Sequence, residues 1–211
     1  MTEETWQQIT ATPDVYNLYL EKLGVENITI NEVYCFEEEF VGVAKGFLLV
    51  LPHPITNQNL FKDNTTTITR PIFTTQCIEN ICGLVGLCHN LLNRTDVIYK
   101  EDGLFASFKK QILEKQTADE RGLVYFMFKE LHLEMAKLNT NEQDKEREEG
   151  DENYHIIALI EHDDALFILD GRKGNFAVEK RVTEKSFTKQ ALEYIQSQIV
   201  ELDKFAILSL N

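Results

Sequence analysis

Residues 155–173 read HIIALIEHDDALFILDGRK, and this stretch predicts a β-hairpin. Two runs rich in Ile, Leu and Phe, at 155–161 and 165–170, have the composition of strands. Between them lies the turn-prone pair Asp163-Asp164. The stretch therefore predicts two antiparallel strands joined by a tight turn.

The register of this hairpin decides where its polar residues lie. A two-residue turn at His162-Asp163 places His155 directly opposite Asp170, with Cβ atoms about 4.5–5.5 Å apart. A turn centred one residue later makes His155 and Asp170 diagonal neighbours on the same face. In either register the Asp170 carboxylate can accept a hydrogen bond from an imidazole N–H, which fixes the tautomer and stabilises the imidazolium. A surface cross-strand ion pair is the alternative that the hairpin alone leaves open.

A second informative stretch, residues 76–83, reads QCIENICG. Cys82 stands where an apolar run of helical length begins, so the positive end of a helix dipole would lower the pKa of its thiol. Gly83 lets backbone or substrate approach closely. The Gln76 side chain and the Cys82 backbone N–H are candidate donors to a developing oxyanion. The alternative is that Cys82 is an ordinary small buried residue.

The cysteines near this stretch also raise the question of a zinc site. Cys77, Cys82, Cys88 and His89 cluster along the chain. Their spacing contains no C-x-x-C pair, and four ligands on one helix and its lead-in cannot readily surround one ion. We therefore expect no metal and no cofactor.

The rest of the chain alternates helical patterns with short apolar runs. A helix is predicted to begin at Pro13, after the candidate cap Thr12, and to end at Gly24. The apolar run 47–51 is short enough for a buried strand. Further helices are predicted at 81–92, 104–116, 118–138 and 186–202, a last strand at 205–210, and a polar loop at 57–69. These elements fit one α+β domain.

The composition changes abruptly at residues 142–152, which read EQDKEREEGDE, with seven acids against two bases. The segment has no apolar side chain to bury, so it is predicted to be a solvated surface segment. Within one α+β domain it is an insertion, and a linker between two domains is the usual alternative.

The chain of 211 residues carries 35 acidic and 21 basic residues, a formal net charge of −14. This charge argues against nucleic acid and anionic lipid as partners, because both require a cationic face. It suits a basic partner, although many solvated acidic surfaces have none. The N-terminus, MTEETWQQIT, lacks the basic start and apolar core of a signal peptide. We expect a cytoplasmic location, with the nucleus as the alternative, where the cysteines stay reduced.

Four residues able to carry chemistry follow one another at distinctive intervals: Gln76, Cys82, His155 and Asp170. Their order and spacing resemble the ubiquitin C-terminal hydrolase family of cysteine proteases. The N-I-C-G turn and the LDGRK stretch are the most specific parts of this resemblance. It extends from the helix PDVYNLYLEKLG to the strands FLLVLP and FAILSL, and it matches the short form without a C-terminal extension.

The resemblance implies a papain-like α+β fold in one catalytic domain, residues 1–211. A central, mainly antiparallel sheet would be flanked by helices, and the backbone would be knotted. Residues 139–154, which contain the acidic segment, stand where the family has its crossover loop over the active site.

The resemblance also implies a thiol hydrolase that cleaves after the C-terminal glycine of ubiquitin through a thioester. Cys82 would be the nucleophile, His155 the general base and acid, and Asp170 the residue that orients His155. Gln76 would complete the oxyanion hole. The implied partner is ubiquitin, with NEDD8 as the alternative modifier, and the enzyme is expected to be a monomer. A ubiquitin-binding module without turnover is the alternative outside the enzymes.

Overall fold

The computed structural model describes residues 5–52, 69–138, 154–180, 184–199 and 205–211. These residues form a six-stranded sheet with helices packed on both of its faces. No helix in the described ranges is both long enough and apolar enough to cross a membrane.

The described elements follow one another along the chain as helices and strands of ordinary length. The helices are α1 (Pro13–Leu23), α2 (Glu38–Val41), α3 (Cys82–Leu92), α4 (Leu104–Glu114), α5 (Ala118–Leu123), a 3₁₀ helix (Val124–Phe128), α6 (Lys129–Ala136) and α7 (Phe187–Ile199). The strands are β1 (Ile30–Glu32), β2 (Gly46–Pro52), β3 (Tyr154–His162), β4 (Ala165–Asp170), β5 (Gly174–Lys180) and β6 (Ala206–Leu210).

The strands lie in the order β1-β6-β2-β3-β4-β5, and each pairing between neighbours in this order is antiparallel. This arrangement confirms the predicted α+β fold with a central antiparallel sheet. The knot that the family resemblance implies stays a prediction.

The sheet is covered on both faces, and β2 shows this most clearly. Leu48 and Val50 point into an apolar layer built with α1, α3 and α4. Phe47, Leu49 and Leu51 point into the opposite layer, which α7 covers. Because both faces are buried, the strand is apolar throughout rather than alternating. The buried strand predicted at 47–51 is confirmed.

The turn between β3 and β4 settles the register of the hairpin. His162 pairs with Ala165, so the two turn residues are Asp163 and Asp164. Both have positive φ, 48° and 57°. Two left-handed turn residues match the right-handed twist of the flanking strands, and Asp tolerates this conformation well. The later of the two predicted turns is therefore present, and it makes His155 and Asp170 diagonal neighbours.

Residues 118–138 are predicted to be helical, and the structure is helical from Ala118 to Ala136, but in three successive segments: α5, the 3₁₀ helix and α6. At Gly122 an added Cβ would lie 2.2 Å from the Thr75 carbonyl oxygen and 2.6 Å from Cys77 Sγ. This close contact holds α5 against the stretch that leads to α3. The sequence then continues with the aromatic run VYFMF, whose tighter 3₁₀ turns bury Tyr125 and Phe128.

Several other elements differ from the sequence predictions in their ends or in having been missed. Helix α3 begins at Cys82 rather than at Ile81, and Tyr154 is the first residue of β3 rather than part of the crossover loop. Strands β1 and β5 and helix α2 were not predicted. The acidic segment 142–152, and the polar loop 57–69 apart from Thr69, lie outside the described residues.

Candidate active site

Cys82 is the first residue of α3, and its side chain is buried with 4% exposure. The lead-in to the helix is turned by Asn80, which has a φ of 65° and whose Nδ2 donates a hydrogen bond to the Trp6 carbonyl, 2.9 Å away. Among the described residues no side chain caps the first turn of α3. The amide N–H of Cys82 is thus left to serve a ligand at the positive end of the helix.

His155 and Asp170 form a buried pair at the ends of β3 and β4. The His155 Nε2–H donates to Asp170 Oδ1 across 2.7 Å, and their side chains are 3% and 0% exposed. The backbone N–H of Arg172 donates to the same oxygen across 2.9 Å. Burial alone would raise the pKa of Asp170, but these contacts outweigh it and lower the pKa. A solvated surface ion pair is excluded by this burial.

His155 also reaches Cys82, so the structure brings three of the four predicted residues into one chain of contacts. Burial alone would raise the pKa of Cys82, but the hydrogen bond and charge of His155 lower it, with help from the Ile156 N–H and the Arg172 charge. Burial alone would lower the pKa of His155, but its bonds to Asp170 and Cys82 raise it to about 9. The pair is therefore stabilised as thiolate and imidazolium.

Gln76, the fourth predicted residue, lies beside the end of β4. Its backbone N–H donates to the Gly171 carbonyl across 2.8 Å, directly after Asp170. Only glycine allows this approach, because a Cβ at Gly171 would lie 2.8 Å from Val85 Cγ1 and 3.0 Å from Gln76 Cβ. The Gln76 side-chain Nε2 donates to the Ile78 carbonyl across 3.0 Å. The Nε2 group carries a second hydrogen, which this bond leaves available to donate to an oxyanion.

The residues considered for zinc are engaged elsewhere. The Cys77 thiol faces the Asp119 carbonyl at 3.8 Å, and the Cys88 thiol is hydrogen-bonded to the buried Tyr125. His89 Nε2 accepts from the Thr74 N–H across 3.1 Å. Within the described part of the chain, no group of three or more His, Cys, Asp and Glu residues could hold a metal ion.

Residues 6–200 match the sequence model of ubiquitin carboxyl-terminal hydrolase, family 1. The chain belongs to this family. Similar curated proteins include a probable ubiquitin carboxyl-terminal hydrolase of Dictyostelium discoideum, 25% identical over 95% of this chain and 84% of that protein. Ubiquitin carboxyl-terminal hydrolase isozyme L1 of Rattus norvegicus is 29% identical over 76% of each chain. The family identifies a cysteine-type ubiquitin hydrolase.

A solved structure supports the fold. The catalytic domain of Trichinella spiralis UCH37, bound to ubiquitin vinyl methyl ester, superposes with a TM-score of 0.76. The match covers 97% of this chain and 94% of that one at 18% sequence identity. At this identity the likeness concerns the fold alone, and it confirms the predicted architecture.

Two residues support the site of this ubiquitin hydrolase without having been assigned a role from the sequence. Arg172 supplies a backbone N–H to Asp170 and a positive charge toward Cys82. Asn80 turns the chain just before the helix. In the sequence, Arg172 could have been found from its place in the LDGRK stretch. Asn80 could have been found because asparagine tolerates a left-handed backbone conformation.

The charge states of Cys82 and His155 predict a pH profile with two limbs. Activity of the hydrolase should rise as Cys82 loses its proton, at a pH below the ordinary range of a thiol. It should fall as the pH passes about 9, because His155 then loses the proton that the leaving group needs. The measurement is kcat/KM against pH with a fluorogenic ubiquitin amide. A flat profile from about pH 6 to about pH 10 would contradict the assignment.

Replacing Gln76 with alanine should weaken catalysis without abolishing it. Loss of one oxyanion donor typically lowers kcat about 10²–10³-fold, while the Cys82 N–H still serves the oxyanion. The measurement is kcat with the same ubiquitin amide, and Gln111→Ala, an exposed position on α4, is the matched control. If Gln76→Ala and Gln111→Ala behave alike, Gln76 is not an oxyanion donor.

Proposed function

We propose that this protein is a thiol-dependent hydrolase that cleaves after the C-terminal glycine of ubiquitin. The observation that carries the proposal is the buried contact chain from Cys82, at the start of α3, through His155 to Asp170. Membership of the family and the ubiquitin derivative bound by the superposed UCH37 domain support ubiquitin as the substrate. The net charge of −14 is compatible with a basic partner.

The first half of the reaction forms a thioester. The Cys82 thiolate attacks the carbonyl carbon of the last glycine of ubiquitin, and the carbonyl oxygen becomes an oxyanion held by the Cys82 N–H and Gln76. The imidazolium of His155 donates its proton to the leaving amine as the C–N bond breaks. Asp170 keeps the ring oriented and its charge stabilised.

The second half restores the enzyme. His155, now neutral, takes a proton from a water molecule whose oxygen attacks the thioester carbonyl. The C–S bond breaks when the tetrahedral intermediate collapses, which releases ubiquitin with a free carboxylic acid that gives up its remaining proton to solvent. Cys82 leaves as a thiolate, and His155 is again an imidazolium, so the ion pair is ready for the next substrate.

Such a thiolate needs a reducing compartment, so we place the monomeric enzyme in the cytoplasm, with the nucleus as alternative.

The family resemblance also limits the leaving group. Tyr154 belongs to β3, so if residues 139–153 cross over the cleft, their extended length is at most about 54 Å. Closed by about 15 Å of protein, this contour makes a ring roughly 22 Å across. A folded domain of ubiquitin's size is about 29 Å across. The proposed leaving groups are therefore small adducts, short peptides and unfolded extensions.

Folded di-ubiquitin should therefore be a poor substrate. Its scissile carbonyl cannot reach attacking distance from Cys82, and we expect turnover at least about 10²-fold below that of a small ubiquitin amide. The measurement compares both substrates at equal enzyme concentration. A ubiquitin fusion with a short unstructured tail is the control, and it should be cleaved like the small amide. Equal rates for di-ubiquitin and the amide would contradict the size limit.

Parallel assays with fluorogenic ubiquitin and NEDD8 amides test the proposed function. We expect the enzyme to turn over the ubiquitin amide faster than the NEDD8 amide. A preference for NEDD8 would assign the alternative modifier. Saturable ubiquitin binding without turnover would instead make the protein a non-catalytic ubiquitin-binding module.

A further inference from the structure

The hydroxyl of Tyr16 lies directly against the residue that follows the nucleophile. Tyr16 is on α1, and its side chain is completely buried. A Cβ built on Gly83 would lie 2.2 Å from Tyr16 Oη and 3.3 Å from its Cζ. The hydroxyl therefore occupies the volume that any larger residue at position 83 would need. Glycine at this position lets α1 reach the first turn of α3.

This hydroxyl has no hydrogen-bonding partner among the described residues. The two other completely buried tyrosines of the described chain are paired, because Tyr19 Oη lies 3.2 Å from His132 Nδ1 and Tyr125 Oη lies 3.0 Å from Thr74 Oγ1. A buried polar group without a partner is unfavourable for stability. Phenylalanine at position 16 would fill the same core volume without that group, so packing alone does not account for the hydroxyl.

The hydroxyl lies against the residue next to Cys82, and the charge of the Cys82 thiolate reaches it through space. Groups from β3 and the end of β4 act on this thiol: His155 with Asp170 behind it, the Ile156 N–H, and the Arg172 charge. Tyr16 on α1 feels the charge of the thiol from the other side of Gly83. Ile156 also closes the pocket around the hydroxyl, since its Cδ1 lies 3.3 Å from the Cβ position of Gly83. Burial, and then the negative charge of Cys82, raise the pKa of Tyr16, so its O–H stays protonated.

We propose that Tyr16 is a positioning residue of the active site, whose O–H dipole supports the Cys82 thiolate from beneath the first turn of α3. The hydroxyl hydrogen rotates freely and turns toward the thiolate once the charge forms. In this buried setting the dipole acts through a low dielectric. The proposal rests on Cys82 being the nucleophile of the proposed function, and it adds α1 to the elements that build the site.

Alkylation of Cys82 by iodoacetamide, followed across pH by mass spectrometry of the peptide that carries it, tests the proposal. For Tyr16→Phe we expect alkylation about three- to tenfold slower at acidic pH, because loss of the O–H dipole disfavours the thiolate. At alkaline pH the rates should converge. Tyr19→Phe, on the same helix and equally buried, is the matched control and should follow the native profile. Overlapping profiles for Tyr16→Phe and the native protein would overturn the proposal.

The melting temperature of the Tyr16→Phe variant distinguishes a role of the hydroxyl in the active site from a role in the stability of the fold. Its Tm should be unchanged or about 2–4 °C higher, because an unpaired buried hydroxyl is removed. A Tyr16→Phe protein that fails to fold would overturn the proposal, since the hydroxyl would then serve the fold. Alkylation needs no ubiquitin. A normal Tyr16 effect without ubiquitin turnover would therefore overturn the proposed function and leave this inference standing.

A double substitution tests the contact itself. Gly83→Ala alone should lower Tm and slow Cys82 alkylation, because the new methyl group would overlap Tyr16 Oη. With Tyr16→Phe added, the nearest atoms are the ring Cζ and Ile156 Cδ1, both 3.3 Å away. The double variant should therefore recover most of the lost Tm. If the two losses simply add, the hydroxyl does not lie against Gly83 and the proposal fails.

Discussion

Replacing Cys82 with alanine is expected to lower kcat about 10⁶-fold, the scale seen when a catalytic nucleophile is removed. Alanine cannot form the thioester, and no other described thiol contacts the His155 and Asp170 pair. The helix start, the buried core position and the fold should persist, because the side chain is small and only a sulfur atom is lost. The measurement is single-turnover and steady-state hydrolysis of a fluorogenic ubiquitin amide.

Cys35→Ala is the matched control for this prediction. Cys35 is a free, partly exposed thiol in the stretch between β1 and α2. Its removal should leave kcat and KM unchanged. Binding of ubiquitin by Cys82→Ala should also persist, which would show that the loss lies in the chemical step. If Cys82→Ala retained even a thousandth of the native kcat, about 10⁻³, another group would have to be the nucleophile.

Replacing Asp170 with asparagine is expected to lower kcat about 10⁴-fold. The asparagine amide is nearly isosteric, but it carries no charge and can present an N–H₂ group to His155 Nε2. The ring would then adopt the wrong tautomer, and its imidazolium form would lose the partner that now lies 2.7 Å away. Because the bond to Asp170 is one of the causes that raise the pKa of His155, the alkaline limb of the pH profile should move to lower pH.

Asp163→Asn in the same hairpin makes the same chemical change away from Cys82. Asp163 has a φ of 48° in the turn, and asparagine favours that conformation. This variant should keep the native kcat and the native alkaline limb near pH 9. The measurement is kcat and kcat/KM across pH for both variants. A kcat for Asp170→Asn within about tenfold of native, with the alkaline limb unmoved, would contradict the orienting role of Asp170.

The sheet was predictable where local sequence carries enough information. In the hairpin, two β-rich runs and an Asp-Asp turn allow two registers, and both place His155 and Asp170 on one face. The helical stretch at 118–138 was predictable, but its division into three segments was not, because periodicity does not reveal the contact of Gly122 with Thr75, which is distant in the chain. Strand β5 was not predicted, because its sequence, GNFAVEK, is largely polar and becomes a strand only through pairing with β4.

The site was predictable as a set of residues, and its internal contacts were not. The sequence predicts that Cys82 lies at the start of a helix. It also predicts that His155 and Asp170 lie on one face of the hairpin. Nothing in the sequence shows that the Gln76 side chain is bonded to Ile78 in this structure. Nor does it show that Tyr16 reaches Gly83, because a contact between residues far apart in the chain leaves no periodic signal.

The central claim is that Cys82 forms a covalent bond with the C-terminus of ubiquitin. The most direct measurement is reaction of the protein with ubiquitin vinyl methyl ester, followed by intact mass and peptide mapping. We predict one ubiquitin per chain, attached at Cys82, and no adduct with Cys82→Ala. Attachment at Cys35 or Cys77, or no adduct with the native protein, would contradict the account.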